Sequence, residues 1–268
     1  MFNKFWTLAK KELARLFNFN EAGIHFIMTL LPLAFAGALI HEGTAGTLFG
    51  NLSKIAEFPV APYLTPIVIA CTVWLFFLNC RKVIAKTVIG DRENGTLARL
   101  MITPASKSAI TGSKLVTLFV ISIISILAFF FGFMSRCSAT THSVIHIIQK
   151  HADMIAVICT AVPMSVAVCA VIAITSEDSK DASTAIFALS LLAVIYAFVF
   201  MLDFNRASFG WRLIPVFNVC LTIGELLIHQ ASALNIAVTC GTNLLCAILL
   251  LSLWAGMFQK EKYTLIRL

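Results

Sequence analysis

Residues 115–134 read LVTLFVISIISILAFFFGFM, twenty positions without a charge. An α-helix needs about 20 predominantly apolar residues to cross the ~30 Å hydrocarbon layer of a bilayer. Working outward from this stretch, apolar runs recur near 23–40, 63–80, 153–174, 184–202 and 233–258, so six segments are long enough to cross. Composition agrees. Of 268 residues, 59% are hydrophobic and 12% charged, with a mean hydropathy of +0.92, whereas soluble domains run near half apolar and a quarter charged. An ordinary soluble enzyme is excluded. Disordered chains, collagen and coiled coils are excluded too, because they need high polarity, a Gly period or charged heptads. The sequence describes an all-α polytopic membrane protein.

The net charge of +7 comes from 20 Lys and Arg against 13 Asp and Glu. The basic residues sit between the apolar runs, where they set orientation in a bilayer, and not over one soluble face as a nucleic-acid footprint would. Nucleic acid is therefore not a partner. A seventh apolar stretch, 209–228, contains Arg212, Pro215, Asn218 and Glu225, all expensive in lipid. Six spans place fifteen of the twenty Lys and Arg on one side, which the positive-inside rule makes cytoplasmic. A seventh crossing would move Lys260, Lys262 and Arg267 outside. The 209–228 stretch is thus read as half-inserted or lying on the outer surface, with both termini cytoplasmic.

Residues 1–18 lack the pattern of a signal peptide, since Lys10, Lys11, Glu12 and Arg15 interrupt them and no small-residue cleavage site follows. At helical spacing Phe2, Phe5, Trp6, Ala9, Leu13, Leu16 and Phe17 share one side, with Lys4, Thr7, Lys11, Arg15 and Asn18 opposite. This predicts a basic amphipathic helix at the membrane surface, with Trp6, Lys10, Lys11 and Arg15 as its interfacial residues. The alternative is a short helix packed on another subunit. The eight cysteines form no CxxC and lie mostly in apolar runs, so they read as small buried hydrophobes. A Cys137–Cys220 bridge stays open if both face an oxidising compartment. His142 and His146 are one helical turn apart and His151 follows, but the intervening Val and Ile residues favour an interfacial helix over a metal site.

The largest polar interruption, 81–114, contains DRENGTLARLMITPAS at 91–106. Asp91 and Glu93 precede the breaker Gly95; Leu97, Leu100 and Met101 repeat at helical spacing; Pro104 halts that helix and Ser106 can cap the next. The spacing predicts a short helix presented below the membrane. A loop whose charges only fix topology is the competing reading.

D-R-E-N-G-T-L, then T-P-A-S, then Lys114 at the following span resembles the cytoplasmic loop of ABC-2 type transporter permeases. Lys11-Glu12-Leu13, Leu31-Pro32, the run from Ser179 to Thr184, the run from Ile214 to Asn218, and Glu261-Lys262 extend the likeness over nearly the whole chain. The S-K-D-A-S-T and I-P-V-F-N steps are most similar to the sodium-extruding and multidrug exporter branch. The resemblance implies one transmembrane domain over residues 1–268: six helices, an interfacial N-terminal helix and a re-entrant outer hairpin between the fifth and sixth. It also implies a second permease copy or homologous permease, a separate ABC ATPase subunit carrying ATP and magnesium, and export across a plasma (bacterial inner) membrane. Asp91, Arg92, Glu93, Gly95, Thr96, Leu97, Leu100, Met101, Thr103 and Pro104 would then form the coupling helix that meets the ATPase, with Gly95 as its bend.

No Gly-Lys dipeptide occurs, so the phosphate-binding loop of an ATPase is missing from this chain. Neither a cofactor nor a catalytic residue is expected on it. Span interiors hold hydroxyls such as Thr72, Ser122, Ser125, Thr160, Ser165 and Ser190, which more often bond a helix carbonyl than a substrate. This lack of mid-span charge argues against an internal proton relay. The rival class is a stand-alone carrier or membrane assembly factor with no ATPase partner. An ion, drug, peptide, lipid or haem substrate all stay open.

Overall fold

The computed structural model describes residues 2–17, 21–44, 71–78, 81, 84–85, 89–97, 106–135, 152–201, 209–227 and 230–260. Seven α-helices can be followed in chain order: α1 (Phe2–Phe17), α2 (Glu21–Thr44), α3 (Lys107–Ser135), α4 (Ala152–Thr175), α5 (Ser179–Met201), α6 (Phe217–Leu227) and α7 (Ala233–Phe258). Residues 71–78 and 89–93 are also helical, and no strand occurs among the described residues. Three helices, α3, α4 and α7, are long and apolar enough to cross a membrane. Five of the six apolar runs thus coincide with helices, and the described part of 63–80 is helical too.

α2 packs chiefly on α3, and α4 on α7, with α3 against α4 joining the two pairs. The α2–α3 contact is a backbone contact. A Cβ on Gly132 would stand 1.6 Å from the Ala34 carbonyl oxygen, and one on Gly37 would stand 2.1 Å from that of Phe129. Small residues let helices approach this closely, and dispersion, which grows as the chains draw near, then holds them where lipid offers no hydrophobic drive. Phe76, Phe129, Phe130 and Phe133 stack beside this crossing through tilted and edge-to-face pairs.

The outward faces are apolar. Met28, Leu31 and Phe35 on α2, Phe119, Leu127 and Phe131 on α3, and Leu244, Leu245, Ile248, Leu249 and Leu253 on α7 are all exposed. A soluble monomer rarely carries such contiguous apolar surface, whereas lipid tails solvate it. Inside, Ser122, Ser125 and Ser165 donate to carbonyls one turn back on their own helices, and Thr160 and Ser190 do so three residues back, as the hydroxyl reading expects.

The ambiguous 209–228 stretch resolves into a 3-10 turn, Phe209–Leu213, and α6, both packed against α7. Pro215 sits in the bend between them and interrupts neither. At 11 residues, α6 is only about 16 Å long. Two of the polar residues that made this stretch costly satisfy each other: Arg212 chelates the Glu225 carboxylate, and Asn235 Nδ2 donates to Glu225 Oε2 at 3.0 Å. Cys220, on α6, is a buried free thiol. Cys137 lies outside the described residues, as do His142, His146 and His151.

Candidate functional site at the helix junction

The segment 89–97 joins three parts of the bundle. Its local form follows from sequence: Gly95 has φ +63°, a left-handed turn that glycine enters without steric cost. Asn94 N and Nδ2 both donate to the Gly90 carbonyl, at 3.1 and 2.7 Å, closing the short helix before the turn. Thr96 Oγ1 lies 2.8 Å from Asp91 Oδ1, so the side chains on either side of the turn hold each other.

Asp91 then faces α3. Its Oδ2 accepts from Lys114 Nζ at 2.5 Å, and the same ammonium lies 3.0 Å from Glu12 Oε1 of α1. Lys114 is 1% exposed, Asp91 4% and Glu12 8%, so this is a buried charge cluster. Burial of an ion is tolerated only where opposite charge and hydrogen bonds replace water. The cluster therefore fastens α1, the loop and α3 at one point. On α1, Ala9 and Glu12 turn inward beside Leu8 and Leu13, while Trp6, Lys10 and Lys11 stay exposed. The inner face of α1 thus packs on this chain's own α3, and its Trp6 and lysines are available to a membrane surface. The side chain of Arg15 lies outside the described residues.

Arg92 and Glu93, next along the segment, grip the link between α4 and α5. Arg92 NH2 donates to the Ser176 carbonyl at 2.6 Å and also to that of Glu177, just beyond the last turn of α4. Glu93 Oε1 accepts from Ser179 N at 2.6 Å and Oε2 from Ser179 Oγ at 3.0 Å, at the first residue of α5. Asp178 Oδ1 takes Asp181 N at 2.6 Å, a second cap on the same helix start. Each charge suits its position, since a cation complements the negative C-terminal end of a helix dipole and an anion the positive N-terminal end. Two adjacent side chains therefore bridge the end of α4 and the start of α5. Both Arg92 and Glu93 thus hydrogen-bond to link residues of the α4–α5 turn.

Arg81 lies with its guanidinium carbon 5.2 Å from the ring centroid of Phe187 on α5. Burial pulls its pKa below the usual arginine value. Ser106 Oγ accepts from Ala109 N at 3.2 Å, capping α3 as its position after Pro104 predicts.

Of the residues read as a coupling helix, Asp91, Arg92, Glu93, Gly95 and Thr96 come together here. Leu97 is 1% exposed and belongs to the core, so its apolar contact is internal rather than outward. Leu100, Met101, Thr103 and Pro104 lie outside the described residues. Sequence reasoning placed Glu12 and Lys114 in recurring motifs without joining them, and it assigned no role to Ser176 or Ser179. The signal was present as charged residues, Glu12, Asp91 and Lys114, next to apolar runs. Among the described residues no group of three or more His, Cys, Asp or Glu could hold a metal ion.

No curated protein and no solved structure matches the chain. A family model described as ABC-2 family transporter protein matches residues 28–200, which takes in α3, α4, most of α2, α5 up to its last residue and all of the charged junction except Glu12 of α1. Matching well over half of its length, and being built of apolar helices, the chain belongs to the ABC-2 family of transporter membrane proteins.

Proposed function

We propose that this chain is the permease subunit of an ABC exporter, that it crosses the membrane six times with both termini cytoplasmic, and that it works beside a second permease. Residues 209–228 form its re-entrant outer hairpin. ATP and magnesium are handled by a separate nucleotide-binding subunit, which docks on the 91–106 loop. The S-K-D-A-S-T and I-P-V-F-N steps favour the sodium-extruding and multidrug branch.

One observation carries the coupling role. Arg92 and Glu93 cap opposite sides of the α4–α5 link from a single short helix. A push on that helix would be delivered to two helix ends at once, and through Asp91 and Lys114 to α1 and α3. A loop that merely fixed topology would have no need of such matched caps. Asn94 and Glu93 keep exposed surface at the turn, where a partner can meet them.

The test is to co-express the chain with an ABC ATPase encoded beside it and to incorporate photoreactive benzoylphenylalanine at Asn94. The expected result is co-purification of the ATPase and a cross-link from position 94 to it. If no ATPase associates, the stand-alone carrier replaces this reading. If one associates but cross-links only from α1, docking on the 91–106 loop is wrong.

A further inference from the structure

Asn243 stands at the centre of the inward face of α7, on the line that runs through Thr239, Ala247 and Trp254, all buried. It is 0% exposed, and neither its Nδ2 nor its Oδ1 has a hydrogen-bond partner among the described residues. One turn earlier, Thr239 Oγ1 lies 2.7 Å from Thr222 Oγ1 of α6, and at the position just before Asn243, Thr242 Oγ1 accepts from Asn218 Nδ2 at 2.6 Å. The Oδ1 of Asn218 is buried and likewise without a partner. A polar seam between α6 and α7 thus ends, on its inner side, in an amide with two N–H groups and a carbonyl to offer.

Depth sharpens the point. Asn243 is the eleventh residue of α7, about 15 Å from its first, half the hydrocarbon thickness. An unpaired amide is costly in such surroundings, so polar side chains kept there usually serve a ligand or a pathway. None of Asn218, Thr222, Thr239, Thr242 or Asn243 carries a charge, and Glu225 nearby is already held by Arg212 and Asn235. A charged guest would find no counter-charge, whereas a group that both donates and accepts would satisfy the amide.

We propose that the α6–α7 seam, ending at Asn243, is a mid-membrane site for a neutral hydrogen-bonding group, the hydroxyl or amide of a solute or a water molecule. The depth argument rests on the six-span reading of the permease, and the proposal extends that reading to a substrate class.

The experiment uses the full chain, asparagine-labelled with 15N, in lipid bilayers without nucleotide or ATPase, so its failure would leave the ATPase assignment untouched. Solid-state NMR measures magnetisation transfer from water to the Asn243 side-chain N–H, assigned by loss of the signal in Asn243→Gln or Asn243→Leu. The expected result is transfer as fast as for the exposed Asn94. Glycerol, added as a neutral polyol, distinguishes the sources: a saturable shift identifies a solute hydroxyl, and transfer without a shift identifies water. No water transfer to the Asn243 side-chain N–H at mixing times that saturate the signal of the exposed Asn94 would overturn the proposal. So would a shift that follows sodium chloride but not choline chloride.

Discussion

Replacing Lys114 with methionine removes the ammonium while keeping the length and most of the volume of the side chain. Asp91 at 2.5 Å and Glu12 at 3.0 Å then face each other across a site where Lys114 is 1% exposed. Deleting one member of a buried ion set costs roughly 3–5 kcal/mol, because the charges left behind have lost their compensation. For a chain of this size about 1 kcal/mol moves the midpoint by ~2–4 °C, so Lys114→Met should melt roughly 10 °C below the wild type. The assay is intrinsic tryptophan fluorescence on heating in detergent. Hydrogen exchange supplies the local readout, since α1 should lose protection along the face holding Ala9 and Glu12. Neutralising all three, with Lys114→Met, Asp91→Asn and Glu12→Gln together, should recover most of the loss. The reasoning is refuted if Lys114→Met melts within about 2 °C of wild type, or if the triple variant is no better than the single.

The glycine crossing predicts a contrast: Gly132→Ala drives a methyl into a backbone carbonyl and should cost about 3 kcal/mol, whereas Gly241→Ala, with open space around it, should be neutral or slightly stabilising. Thermal melts of the two variants decide it. Glu93→Gln keeps hydrogen-bond acceptance at Ser179 but loses the charge, and Glu93→Ala loses both, so amide exchange at 179–181 should rise a few-fold in the first and about ten-fold in the second. Equal exchange in wild type and Glu93→Ala would remove the cap from consideration. Glu225→Ala should destabilise more than Asn235→Ala, since Glu225 receives hydrogen bonds from both Arg212 and Asn235. Limited proteolysis of the 209–230 region in vesicles reads this out, and the reverse order would contradict it.

The long apolar helices were legible because an apolar run in this length range admits little else: α3, α4 and α7 are long and apolar enough to cross a membrane, and 233–258 matches α7 end to end. Charge bias predicted that 209–228 does not cross, and a 3-10 turn and an 11-residue helix stand there. What it could not supply was the pairing of Arg212 with Glu225, which turns two expensive residues into one tolerable pair across a bend. At the junction, Gly95 and Ser106 were readable because their effects are local: one sets a backbone angle, the other caps the next helix. Arg92 and Glu93 stood out by motif, yet their partners lie 84 to 86 positions away, and nothing local encodes that distance. Glu12 was hidden for another reason. It lies among lysines on a helix read by its apolar stripe, and the Lys114 ammonium opposite explains why a carboxylate points inward.

The close crossing at Gly37 and Gly132 also restricts how the bundle can move. With backbone seated on backbone, α2 and α3 have no layer of adjustable side chains over which to slide. They constitute a rigid strut, and Lys114 anchors its charged end to the loop. Displacement of that end therefore swings the strut as one piece. Among the described residues, the short turn 176–178 between α4 and α5 is held at both ends by the Arg92–Glu93 clasp, so a shift of that clasp would reach two helix ends together.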